Sequence, residues 1–139
     1  MIATHLLERT GNFLETPEFK QSAAHLTWWK AVDQVLFRAY WGEVTPPQLE
    51  ATPLQLLLDL KGVSYQTTGQ FHYVVETDVK PEHEEEMNAW YNTEHLVGLS
   101  QVPGVISATR YLRLSGGPRF VACYELESPL ILESKEWLA

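Results

Sequence analysis

The 139-residue chain contains a single cysteine, Cys123. One thiol cannot close an intramolecular disulfide and has no partner for a cysteine metal site, so the sequence points to a reducing compartment, with the cytoplasm as the default. Basic charge is scarce: 10 Lys and Arg stand against 18 Asp and Glu, giving a formal charge of −8 and a pI near 5.0. Such a balance repels phosphate backbones, and no Lys/Arg cluster offsets it locally, so nucleic acid is not an expected partner. Long apolar runs are missing too. The longest, near Leu54 to Leu58, are too short to span a bilayer. Met1 to Thr10 lacks the basic-then-apolar order of a signal peptide, so neither membrane insertion nor export is expected. There is no phosphate loop, no dinucleotide fingerprint and no Gly-x-Ser-x-Gly, which removes support for nucleotide use and serine hydrolysis. His83, His95 and the nearby glutamates show no His-x-x-x-His or Cys-rich spacing, so no metal is expected. The enzymatic option left is chemistry without a cofactor.

What is present is ordinary globular material, 45% hydrophobic and 20% charged, of a size that builds a core without staples. Thr16-Pro17, Thr52-Pro53 and Ser128-Pro129 each place a hydroxyl at a helix N-cap and a proline at the first helical position. The first helix is expected from Pro17 toward Trp29, the second as a short helix stopping at Gly62, the third from Pro129 onward. A fourth starts at Pro81, where Glu82, Glu84, Glu85 and Glu86 favour the positive end of a helix dipole, and reaches Tyr91 to Leu99. Strand character is strongest in Phe71 to Glu76, Val105 to Leu114 and Arg119 to Leu126, the last two joined by a Ser115-Gly116-Gly117-Pro118 hairpin.

From Phe71 onward the order is strand, helix, strand, strand, helix. A ferredoxin-like unit needs one more strand, and the sequence given stops at Ala139 before it. An internal repeat supplies a candidate, because Leu14-Glu15-Thr16-Pro17 with Gln21-Ser22 and Leu26 is spaced like Leu126-Glu127-Ser128-Pro129 with Glu133-Ser134 and Leu138. The first copy runs on into Gln34 to Trp41, a plausible strand. The expected fold is thus α+β, a single ferredoxin-like domain over 1–139 with an antiparallel sheet and helices on one face. Residues 1–44 resemble the end of the unit, 45–69 form a bridge with a short helix, and 70–139 supply strand-helix-strand-strand-helix. Two readings stay open: the N-terminal strand completes its own chain's sheet by circular permutation, or a partner's by exchange.

The densest cluster of chemistry is Trp90-Tyr91-Asn92-Thr93-Glu94-His95-Leu96, followed by Val102-Pro103-Gly104-Val105 and Arg110-Tyr111. This pattern resembles the EthD-like branch of the dimeric α+β barrel superfamily. There a Trp-Tyr-x-x-x-His segment ends the first helix, and a Pro-Gly-Val turn precedes an Arg-Tyr strand. The resemblance covers Phe71 to about Leu138. It implies a homodimer in which two sheets enclose a small-molecule pocket, with relatives that include isomerases, cyclases and monooxygenases, and it places the helix end near the pocket mouth.

Tyr91 and His95 are four residues apart and share a helix face. His95 titrates near neutrality and is either a proton carrier or a helix-end cap. Asn92 and Thr93 are poor helix formers and mark a break that turns Glu94 and His95 toward the pocket, or an ordinary kink. Trp90, three residues after Met87, is expected in the core. His72 shares a strand face with Val74 and Glu76, opposite Phe71, Tyr73 and Val75, and is expected to point into the barrel. With Arg110 facing the same way, His72 and Arg110 would bind an anion; otherwise Arg110 pairs with Glu125 or Glu76 across the sheet. The first functional expectation is a cofactor-independent enzyme moving protons on a carboxylated or phenolic metabolite. His95 and His72 would carry protons, Arg110 would hold the anion, and Tyr91, Tyr124 and Glu94 would contact substrate. A cofactor-free monooxygenase and a non-catalytic binding or assembly module are the alternatives.

Overall fold

The computed structural model describes residues 3–42 and 50–139 and divides the chain into two compact units, 1–55 and 56–139. Seven strands form among the described residues.

In the N-terminal unit β1 (His5–Thr10) leads through a 3₁₀ turn (Phe13–Glu15) to α1 (Pro17–Ser22), then to the short β2 (Trp29–Lys30) and to β3 (Leu36–Trp41). β3 lies between β1 and β2, antiparallel to both. Thr16 caps α1 as its sequence implies, its hydroxyl accepting the Phe19 amide at 3.2 Å. The helix is shorter than expected, ending at Ser22 and not near Trp29. The amides of His25 and Leu26 both turn back onto the Ser22 carbonyl, and the Trp28 indole donates to the Ser22 hydroxyl at 2.9 Å. Trp28 and Trp29 therefore serve a small aromatic core and a strand. Phe13 is the hub of that core, with ring centroids 4.5 Å from Trp28 and 5.6 Å from both Phe19 and Phe37.

The helix expected at Thr52-Pro53 is a strand, β4 (Thr52–Lys61). The residue before a proline is pushed toward extended conformations, and that bias overrides the capping pattern here. Its start pairs with β1 through His5↔Pro53 and Leu6↔Thr52, and the Leu54 amide reaches the Thr4 carbonyl at 2.8 Å. Leu58 and Leu60 then share one face of the strand and pack into the larger core of the C-terminal unit. Gly62 is a genuine stop, but of a strand. Part of the expected bridge, residues 45–49, lies outside the described residues.

In the C-terminal unit the neighbours run β4, β6, β7, β5, where β5 is Phe71–Thr77, β6 Val105–Arg113 and β7 Phe120–Leu126. β7 is antiparallel to both flanking strands, with His72↔Glu125, Tyr73↔Tyr124 and Val75↔Ala122 on one side and Ser107↔Glu125, Ala108↔Tyr124 and Arg110↔Ala122 on the other. One face carries Phe71, Tyr73, Val75, Ala108, Ala122 and Tyr124 against Tyr91, Leu96, Met87 and Leu99 of a helical segment spanning Glu84–Ser100. A 3₁₀ turn (Pro129–Glu133) and α4 (Lys135–Leu138) bring Ile131, Leu132 and Trp137 to the same core. Ser134 caps α4 by accepting the Trp137 amide at 3.2 Å. The strand order ends at β5, and β3 pairs with β1 and β2. Among the described residues, no helix is long and apolar enough to cross a membrane.

Candidate functional site

The segment from Glu84 to Ser100 is not one uniform helix. α2 (Glu84–Trp90) passes into a π turn (Tyr91–His95) and then into α3 (Leu96–Ser100). The break falls on the poor helix formers Asn92 and Thr93, and the Thr93 hydroxyl donates back to the Ala89 carbonyl at 2.7 Å. Core packing explains why the extra residue is kept. Met87, Tyr91 and Leu96 all reach the core, yet Leu96 follows Tyr91 by five positions. In a plain α-helix five residues would carry Leu96 about 140° round the axis; the wider π turn returns it to the same face. That five-residue step in the apolar ladder is legible in the sequence.

The π turn also sets the aromatic geometry. His95 stacks on Trp90, centroids 4.2 Å apart at 14°, and meets Tyr91 edge-on at 5.0 Å and 86°. Trp90, expected in the core, is 45% exposed. It forms with His95 one wall of a cavity of about 280 Å³ whose lining also includes Glu94, Gly98, Leu99, Glu136, Trp137 and Ala139. Burial holds the His95 imidazole below its ordinary pKa, so it is uncharged at neutral pH. The charged side chains in that lining, Glu94 and Glu136, are both exposed carboxylates at the rim.

A second cluster lies behind the first. Arg110, 1% exposed, sends one guanidinium nitrogen to Asn88 Oδ1 at 2.7 Å and another to Asn92 Oδ1 at 3.3 Å. Its guanidinium carbon sits 4.4 Å from the centre of the Tyr91 ring and 5.3 Å from that of Phe120. Hydrogen bonds from a charged donor contribute roughly 1.5–3 kcal/mol each, which offsets part of the desolvation cost. That cost lowers the guanidinium pKa, while Tyr91 and Tyr124 pull it up; an arginine stays charged at neutral pH throughout. Tyr124, packed at 6.1 Å from Tyr73 and 5.3 Å from Trp137, has its phenol pushed well above the ordinary value, chiefly by burial.

The structure therefore divides the residues singled out from sequence. His95 and Glu94 come together at the cavity, with Tyr91 inside against His95 and Tyr124 in the core behind Trp137. Arg110 and His72 are not brought together. The ladder puts Arg110 opposite Ala122 and Val75 on the helix-covered face, and His72 opposite Glu125 on the other. The parity of Arg110 with Ala108 and Leu112 decides this, and it removes the expected His72–Arg110 anion site. The alternative pairing of Arg110 with Glu125 or Glu76 fails for the same reason; Glu76 lies 3.8 Å from Arg113. Sequence reasoning did not single out Asn88, Glu136 or Trp137, and Asn88 was detectable from its four-residue spacing to Asn92. Among the described residues, no three His, Cys, Asp or Glu are placed to hold a metal ion.

No protein-family model matches the chain, and no curated protein does either. Solved structures do, and three of them are the following. One is an uncharacterized ferredoxin-fold protein related to antibiotic biosynthesis monooxygenases, from Listeria monocytogenes, 13% identical over 96% of this chain and 76% of that one, with a TM-score of 0.57. A second, provisionally called a monooxygenase, comes from Fusobacterium nucleatum; it is 11% identical over 99% of this chain and 84% of that one, with a TM-score of 0.62. A third, a monooxygenase-like protein from Listeria innocua, is 13% identical over 94% and 75%, with a TM-score of 0.57. The chain has the ferredoxin-like fold. At such identities the likeness speaks to fold and not to activity.

Proposed function

We propose that the protein is a cofactor-independent small-molecule enzyme that takes a proton from a phenolic or comparably acidic aromatic compound, with His95 as the base. The observation that carries this is the position of His95, stacked on Trp90 at the wall of a cavity and kept uncharged by burial. A neutral imidazole at pH 7 is ready to accept a proton. Indole rings of Trp90 and Trp137 suit a planar aromatic guest. The sequence left carboxylated and phenolic metabolites equally open; Glu94 and Glu136 at the rim disfavour a carboxylate, so the phenolic class is the better fit. Arg110, enclosed behind Tyr91, acts on the helix and not on the substrate.

A cofactor-free monooxygenase is the second reading, favoured by the names of the three structural neighbours. An aromatic anion formed by His95 can itself deliver electrons to oxygen: an activated methylene plus O₂ gives a carbonyl and water, with the substrate as reductant. The Trp90-to-His95 and Pro103-to-Arg110 motifs support an EthD-like affiliation within the superfamily, and a homodimer belongs to the same proposal.

4-Nitrophenol tests the base directly, because its phenolate is coloured and its phenol is not. The protein is expected to bind it and to shift its phenolate absorbance at neutral pH, and His95→Gln to abolish that shift. Equal phenolate signals in both proteins would sink the reading and leave the binding-module alternative. Oxygen uptake with an electron-rich hydroquinone, compared with turnover under anaerobic conditions, separates oxygenation from proton transfer alone. Native mass spectrometry of the purified protein reports dimer mass and any retained ligand together.

A further inference from the structure

We infer that Arg110 is a positioning residue: by bridging Asn88 and Asn92 it holds the π turn in register and so keeps His95 against Trp90 at the cavity wall. The inference rests on the His95 reading above and gives the buried arginine a task within it.

The geometry is a chain of direct contacts. Arg110 lies on β6, fixed in the sheet opposite Ala122, and its guanidinium is flanked by the rings of Tyr91 and Phe120. Two of its nitrogens reach the side-chain oxygens of Asn88 and Asn92, one turn apart, the first in α2 and the second in the π turn. Tyr91, between these asparagines in sequence, presents its face to Arg110 and meets His95 edge-on. His95 closes the chain by stacking on Trp90. A π turn is a rare register, found mostly as a single turn within an α-helix, and here side chains hold it in place. Reverting to an α-helical register would rotate everything after Tyr91 by about 100° and carry His95 off the Trp90 ring. A planar fork with several fixed donors is suited to holding two amides at once, which a lysine is not. Both hydrogen-bond partners are neutral amides and the cation is fully buried, so an apolar side chain would fill the site at lower desolvation cost if packing were its whole role.

The test uses Asn92→Ala, Asn88→Ala and Arg110→Lys in the full chain, with the His95 ring proton followed by NMR across pH and 4-nitrophenol affinity measured alongside. Glu94 and Glu136 at the cavity rim, Tyr91 and Arg110 are the titratable or charged groups that bear on His95. All four remain in the asparagine variants, so a shift there reports on position and burial. The expected result is a His95 titration that rises toward the ordinary imidazole value of about 6.5. Affinity for 4-nitrophenol should fall roughly tenfold, the scale of a small misplacement of a binding group. Folded variants with an unchanged His95 titration would overturn the inference; if Arg110→Lys does not fold, the two asparagine variants decide. The two readings fail separately. A His95 titration that moves while His95→Gln leaves 4-nitrophenol unaffected sinks the base and keeps the clamp; the reverse pattern keeps the base and sinks the clamp.

Discussion

The Trp90 indole and the His95 imidazole lie face to face, 4.2 Å apart and inclined by only 14°. Five residues separate them along the chain, a spacing that an α-helix splays apart and a π turn brings together. Stacked ring pairs contribute about 0.5–1.5 kcal/mol beyond their area. The stack also covers one face of the imidazole and so adds to the burial that lowers its pKa.

Trp90→Ala therefore moves the His95 titration upward. The stability consequence follows from proton linkage: a histidine with a lowered folded pKa binds fewer protons folded than unfolded, so stability falls as pH drops below the ordinary histidine value. Removing Trp90 should shrink that fall. Urea unfolding at about pH 8 and about pH 5 measures it; an identical difference in the two proteins would show that the stack does not control His95.

How far the sequence spoke for itself depended on whether a signal was local. The β6–β7 hairpin was legible because alternation, β-branched residues and a Gly-Gly turn all agree between Val105 and Leu126. The break at Asn92 and Thr93 was legible because both residues are locally poor helix formers. Thr52-Pro53 was misread because its capping pattern is equally satisfied by an extended residue before proline, and only pairing with His5 and Leu6, far away in the chain, selects the strand. β1 gave no local cue beyond the short run Leu6-Leu7. Arg110 shares its face with Ala108 and Leu112 by simple alternation, but which of the two sheet faces the helices cover is set by packing with residues distant in sequence, such as Tyr91 and Leu96.

Gly62 is where β4 ends, and its amide reaches the Ile106 carbonyl at 2.8 Å. A Cβ there would lie 2.0 Å from the Val105 carbonyl oxygen and 2.8 Å from the Ile106 carbonyl carbon, both backbone atoms held in β6. Gly62→Ala should cost about 3–5 kcal/mol, the range of severe single substitutions. Gly98→Ala is the contrast. Nothing lies within 4 Å of its Cβ position and the residue is helical, so alanine should be neutral or stabilise by up to about 1 kcal/mol. Denaturant midpoints that rank the two the other way would contradict the close approach at Gly62.

Tyr124 links the core to alkaline stability. Its phenol is pushed well above its ordinary value by burial, so the folded protein keeps a proton that the unfolded chain loses as pH rises past about 10. Stability from this residue is complete below that pH and declines above it. Tyr124→Phe removes the proton and should flatten the decline, at a neutral-pH cost of about 1 kcal/mol for the lost hydroxyl. Thermal melts of both proteins from about pH 8 to about pH 11 test it; parallel curves would mean that other groups carry the alkaline transition.

Ligand charge is set at the cavity rim. Glu94 and Glu136 are exposed, so each acts through a partly screened field, with about 1 kcal/mol between unit charges a few ångströms apart in water and more near the protein surface. Glu136→Gln removes one negative charge and leaves the Trp90–His95 wall untouched. Affinity for 4-hydroxybenzoate should rise by about fivefold relative to that for 4-nitrophenol, and the gain should fade as salt is added. The uncharged amide keeps the shape of the carboxylate, so a change in packing cannot produce a salt-dependent preference. An unchanged ratio of the two affinities at low salt would place the bound ring away from Glu136, and with it away from the Trp137 side of the cavity.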